Sequence, residues 1–465
     1  MENKILIKNA KAIVTCDNND GVFYDSDMLI VGSEIKAIGK NLQDEAIAEG
    51  AKIISAKDKF IYPGLINTHH HFFQTFVRNM QSIDYPNMMV VDWLDKIYPI
   101  FQKVNEEVIY YSSLTAMADL IKHGCTCAFD HQYCYTNVSG KKLVDRQMEA
   151  ASILGIRYHA GRGTNTLPKS KGSTIPDGML ETTDEFIKDC ERIIDLYHDP
   201  NPFSMKQIVV APCQPINSYL ETFTESVKLA RSKKVHLHTH LYEGDRSIIK
   251  ERYGKTSLEW CNDIGFVGPD VWIAHGWEIE KDEYKFMAET KTGISHCPAP
   301  AVLGGFPILD IKALLNAGVL VSLGVDGSAT NDSSNLLDSL RMAYIMQAFH
   351  SKLRGGSVTS YDMLKVATIN GAKTLGRNDL GSLEVGKGAD LFMIDLNKLE
   401  LTGTLHDPKN LLASVGYTGP VHLTMINGKI VYENGQLVGV DEKLLSENGE
   451  NICTKVLRSE FKEYF

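Results

Sequence analysis

The stretch LINTHHHFFQ (65–74) sets three imidazoles in a row. In an extended strand, residues i and i+2 share a face about 6.6 Å apart. Imidazoles so placed converge on one ion at roughly 2.0–2.1 Å each. On a helix the same spacing diverges. If the stretch is extended, His69 and His71 therefore pair, and His70 faces away. HLHTHLYEGD (236–245) alternates His236, His238 and His240 on one strand face. His240, nearest the loop, is the natural third ligand. His238 and His236 lie deeper and read as hydrogen-bonded core histidines. Glu243 follows just past the strand end, placed to reach a metal-bound water. Asp326 ends an apolar run in SLGVDGSATND, where a buried carboxylate must be paired or bind metal. His275 ends another such run, VWIAHG, and is placed to hydrogen-bond a reacting oxygen. Three histidines and an aspartate suit one divalent ion, Zn²⁺ first, with Fe²⁺ or Mn²⁺ as alternatives. Such an ion brings the pKa of bound water to about 7. Proton transfer by Glu243 would add about 10²–10⁴-fold.

Those residues need strand ends to hold them. The middle of the chain supplies eight short apolar runs, each followed by a helical pattern: YPGLINTHHH, CTCAFDH, IRYHAGR, QIVVAPC, VHLHTH, VWIAHG, GISHC and VLVSLGVD. Alternating β and α predicts a parallel sheet, and eight units predict a closed (β/α)8 TIM barrel with its chemistry at strand C-terminal ends. Nearly every run ends in a polar residue: His69 and His71, His131, Arg162, His240, His275, His296 and Asp326. Residues 1–60 and 386–440 read instead as strands and turns, with Asn427-Gly428 and Asn434-Gly435 as hairpin signals. The expected domains are thus a small β-rich unit from both chain ends (1–60 and 386–440), a barrel (61–385) and a polar helical extension (441–465).

The net charge of −10 comes without any Lys/Arg cluster, which argues against nucleic acid or an anionic membrane as partner. The first residues alternate in polarity, unlike a signal peptide, and no apolar window is long enough to span a bilayer. Nine scattered cysteines predict reduced thiols and a cytoplasmic protein. GSLEVGKG (381–388) approaches a phosphate loop, but Gly388 stands where the hydroxyl belongs. DNNDG (17–21) has the wrong spacing for calcium and reads as a turn. The H-x-E and P-C-x-x-C pair of the zinc base deaminases is missing.

PGLIN-THHH, HLYE, IAHG, GVDGSATNDSSN and LGSLEVGKGADL together resemble the amidohydrolase superfamily, in family order and over essentially the full length. NTHHHFFQ, FDHQY, RGTNTLP…IPDG and SHCP resemble its branch of triazine, 8-oxoguanine and isoxanthopterin deaminases. The resemblance implies a distorted barrel with a small β-sandwich. It implies one metal on His69, His71, His240 and Asp326. Glu243 would be the proton shuttle and His275 the polarising histidine, with Asp326 also accepting the last hydroxyl proton. Binuclear relatives carry a lysine after the fourth strand. VVAPCQP has none, which implies a mononuclear deaminase of ring amidines.

The expected reaction is hydrolytic deamination of a nitrogen heterocycle, an oxidised guanine or a pterin first, with an aminotriazine of the hydroxyatrazine type as alternative. SHCPAP departs from the branch's usual SHCPSS-like form, which bears on that order. Amide or chloride hydrolysis on a similar ring is a further alternative. A non-catalytic barrel used as an interaction scaffold is the alternative from another class; every expected ligand is present, against it. Expected substrate contacts are Gln74, Trp93, His131, Arg162 and His296. The long loop 163–178 is a candidate lid. A homodimer is implied by resemblance alone.

Overall fold

The computed structural model describes residues 3–43, 50–80, 90–352 and 358–462. Parts of each expected segment (1–2, 44–49, 81–89, 353–357 and 463–465) lie outside the described residues.

All eight apolar runs form parallel strands of one sheet. In order these are Leu65–Asn67, Cys125–Gln132, Arg157–Arg162, Lys206–Val210, His236–Leu241, Val271–His275, Gly293–His296 and Val321–Leu323. Each pairs with its sequence neighbour, and helices such as Glu106–Lys122, Leu143–Leu154 and Thr183–Tyr197 separate them. The first and eighth strands meet at a seam instead of a full ladder. There His70–His71 pairs with Asp326–Gly327, and Thr68 N–H bonds Leu323 C=O and Asp326 N–H bonds His69 C=O. Inside the seam the Thr68 hydroxyl lies 2.7 Å from that of Ser295 and 2.9 Å from that of Ser322. The result is a nearly closed, distorted barrel.

Both chain ends share a second, nine-stranded sheet. Lys4–Val14 is flanked by Val22–Val31 and Lys52–Ser55 and continues through Lys59–Pro63 to Leu391–Asp395, Leu423–Ile426 and Lys429–Glu433. Ile5, Ile7, Met28, Ile61, Leu391, Met393 and Met425 build its apolar core. Both Asn-Gly pairs make two-residue hairpin turns, every residue at positive φ (54° and 70°; 51° and 87°), as such turns require. Arg157, fully buried, ties this sheet to the barrel. Its guanidinium donates to both Asp390 oxygens (2.8 and 2.9 Å), to Asn427 Oδ1 and to the carbonyls of Phe203 and Ser204. The C-terminal helix Glu442–Cys453 lies over helix Glu106–Lys122, where Lys122 pairs with Glu442.

All nine cysteines are buried and unpaired. No helix among the described residues is long and apolar enough to cross a membrane. Residues 381–388 form turns that lead into a strand, and the Asp17 carboxylate closes its own turn on Gly21 N–H.

Candidate active site

The polar strand ends converge at one mouth of the barrel. His69 Nε2 and His71 Nε2 each lie 3.3 Å from Asp326 Oδ1. His71 Nε2 lies 3.1 Å from His240 Nε2. Two ligands at roughly 2.0–2.1 Å from a tetrahedral ion would stand about 3.3 Å apart.

Hydrogen bonding fixes which nitrogens face the centre. His238 Nδ1 donates to Trp272 C=O at 2.9 Å, so His238 Nε2 accepts from His69 Nδ1, also at 2.9 Å. His71 Nδ1 donates to His131 C=O at 2.9 Å, and His240 Nδ1 to Cys213 C=O at 2.8 Å. All three Nε2 atoms are therefore lone pairs aimed inward. Burial holds the rings of His69 (about 4), His240 and His275 below the usual histidine range, which keeps them neutral. Lone pairs 3.1 Å apart repel unless a cation lies between them. Asp326 turns a carboxylate oxygen toward these lone pairs. Its Oδ1 and His69 Nε2 are buried without hydrogen-bond partners. These residues fit a divalent ion. Other histidine triples also cluster here, and one of them adds His275 to His69 and His240; in the others both His238 nitrogens are committed as above and His131 Nε2 bonds Ala211 C=O. His70 faces away, onto the Ser334 hydroxyl.

The supporting acceptor yields a prediction. His238→Leu leaves His69, His71, His240 and Asp326 in place but removes the acceptor for His69 Nδ1. Metal affinity is expected to fall about 10–100-fold, read by competition with a chromogenic chelator. Unchanged affinity would show that His69 needs no such partner.

Glu243 and His275 flank the centre. Glu243 Oε1 lies 3.6 Å from His275 Nε2, and the glutamate side chain keeps 28% of its surface open. Burial first, then the Asp326 carboxylate, push the Glu243 carboxyl well above its usual range. Asp245 positions Glu243 by accepting its backbone N–H at 2.8 Å. His275 stacks on His240 (ring centroids 5.2 Å apart), and both its nitrogens are buried and unpartnered. His275 and Asp326 sit at positive φ (74° and 65°), a strain that clusters at functional sites.

The expected substrate contacts divide. His296 is buried with both nitrogens unpartnered, and His131 stacks on His240 with Nδ1 unpartnered. Arg162 is a correction. Its guanidinium is spent on Glu181 (2.8 and 2.9 Å), Asp189 (2.8 Å) and the face of Tyr135. A buried cation needs such pairing, and its strand position faces the helices. Gln74 Oε1 accepts Ala329 N–H at 3.2 Å, bracing the turn after Asp326. A Cβ at Gly327 would fall 1.8 Å from that oxygen, hence the glycine. Trp93, half-buried, packs on the cluster of Phe73, Tyr98, Phe101 and Tyr133. The loop 163–178 is braced against Asn217. Asn217 accepts from Ser173 Oγ and Thr174 N–H through its side chain and from Thr166 and Leu167 N–H through its backbone, with Ile175 buried.

Trp277 escaped the sequence reading. It packs on His275 (4.2 Å between rings) and Phe306 (4.5 Å), with its indole N–H buried and unpartnered. Its place two residues after a strand-end histidine was the available signal.

The amidohydrolase family profile matches residues 60–431. Hydroxydechloroatrazine ethylaminohydrolase of Pseudomonas sp. (strain ADP) is 49% identical over 452 residues, 96% of this chain and 94% of that protein. An 8-oxoguanine deaminase of Pseudomonas aeruginosa is 34% identical, covering 78% of this chain and 80% of that one. The crystal structure of an atrazine chlorohydrolase from Arthrobacter aurescens TC1, complexed with zinc, superposes with a TM-score of 0.91 at 30% identity over 97% of this chain and 100% of that one. With its barrel, its His-rich metal site and these relatives, the chain belongs to the amidohydrolase family and is a hydrolase acting on C–N bonds.

Proposed function

We propose that this enzyme hydrolyses the exocyclic C–N bond of a hydroxylated aminotriazine, releasing an amine and leaving a ring carbonyl. The observation that carries the reaction class is Glu243 facing His275 beside four converging ligand atoms. The relative at 49% identity moves the triazine ahead of an oxidised guanine or pterin, which the 34% relative keeps as the second reading. No lysine follows the fourth barrel strand, Lys206–Val210, which supports a single ion.

His69, His71, His240 and Asp326 would hold that ion, zinc foremost. When bound, it supplies Lewis acidity and an acidified water. Glu243 takes the water proton and delivers it to the ring nitrogen beside the scissile bond. Its raised carboxyl suits both halves of that transfer. His275 Nε2, neutral, steadies the attacking oxygen. Asp326 accepts the remaining hydroxyl proton and passes it to the departing amine as the C–N bond breaks. His296 and the Trp277 N–H offer free hydrogen-bonding atoms to the ring.

The test is a release screen with metal-loaded protein over hydroxylated and chlorinated aminotriazines, guanine, 8-oxoguanine and pterins, reading amine, ammonia and chloride. Amine from a hydroxylated triazine is expected, abolished by chelation and restored by zinc. Ammonia from 8-oxoguanine or a pterin alone would install the second reading. Chloride without amine would replace both. Bound metal with no turnover of any ring would favour the scaffold.

A further inference from the structure

We propose that Asn165 is a specificity residue that reads an N–H/C=O edge of the heterocycle; the assignment deepens the reading above and rests on it. Beyond the third barrel strand, Arg162, Thr164 and Thr166 all face the helical layer. Arg162 meets Glu181, the Thr164 hydroxyl donates to Glu181 Oε2 at 3.0 Å, and the Thr166 and Thr222 hydroxyls lie 2.8 Å apart. In extended chain the alternate positions point the other way. A Cβ at Gly163 would lie 2.7 Å from Tyr133 Cβ and 2.9 Å from His131 Nε2, on the side of the barrel mouth. By that alternation Asn165 is the next residue on that face. Its side chain is fully buried, yet neither Oδ1 nor Nδ2 has a partner.

The backbone that carries the carboxamide is held. Asn165 C=O accepts Glu181 N–H at 3.0 Å, and Thr164 C=O accepts Cys213 N–H at 3.0 Å. Cys213 C=O in turn holds His240. Buried amides are almost always satisfied, so a fixed, orphaned one points to a partner that comes and goes. A carboxamide presents one acceptor and two donors in a plane. Its complement is a ring edge with N–H beside C=O, which a hydroxylated triazine in its oxo form carries and an O-methylated one lacks.

The experiment compares an oxo-form aminotriazine with its methoxy counterpart on the metal-loaded wild type, Asn165→Ala and Asn165→Asp. Asn165→Asp preserves shape while removing the donor. The expected result is a wild-type preference in kcat/KM for the oxo ring that shrinks at least 10-fold in both variants, carried mainly by KM. Equal losses on both rings, or no loss, would overturn the assignment. Calorimetric binding of the two rings to the same proteins separates it from the reaction. If wild type releases no amine but binds the oxo ring, and Asn165→Ala loses that preference, the hydrolytic reading falls and the assignment stands. If wild type prefers neither ring in turnover or binding, the assignment falls.

Discussion

Glu243→Gln is expected to retain bound metal and to lose about 10²–10⁴-fold in kcat. The amide keeps the size of the carboxylate but carries no transferable proton at neutral pH. The proposed ligands His69, His71, His240 and Asp326 are untouched, because Glu243 belongs to none of the clusters that could hold an ion. Metal content by atomic emission should stay at the wild-type ratio, and KM should move little beside kcat. A variant that lost metal in step with activity would make Glu243 a ligand. A variant of near wild-type kcat would pass the proton transfer to another group.

The largest structural effect is expected at Arg157. Arg157→Ala should cost about 3–5 kcal/mol of stability, because it strands a charge that is already out of water. The side chain is 0% exposed and Asp390 only 4%. The carboxylate keeps Asn427 N–H as a donor but loses both guanidinium bonds, and the Phe203 carbonyl loses its donor while Ser204 C=O keeps Arg377. Arg157→Met with Asp390→Leu should recover much of the loss, since apolar pairs of similar volume replace buried ion pairs well. Urea unfolding of the single and double variants decides it. A single-variant cost below about 1 kcal/mol would show that water reaches the pair.

Periodicity carried much of this architecture. Eight β/α units, the two Asn-Gly hairpins and the gathering of His69, His71, His240, His275 and Asp326 were legible because each depends on local spacing. Other features needed partners that local spacing does not show. Arg162 sits at a sequence position that suits a pocket, but its partners Glu181 and Asp189 come from just before and within the helix Thr183–Tyr197. The loop 163–178 looked free because its polar residues showed no partners in sequence; Asn217 provides them. His238 was legible as a core histidine, but its hold on His69 needed the fold.

The seam between the first and eighth strands carries a consequence for durability. Among the described residues the cylinder is joined there by a two-residue pairing and a few single bonds, and His69, His71 and Asp326 straddle the joint. A cation shared across it would fasten the two edges together, so occupancy and unfolding become one linked equilibrium. By mass action, ion at 100 times its dissociation constant adds about 2.7 kcal/mol. Starving the protein of its ion would then shorten its life as well as silence it.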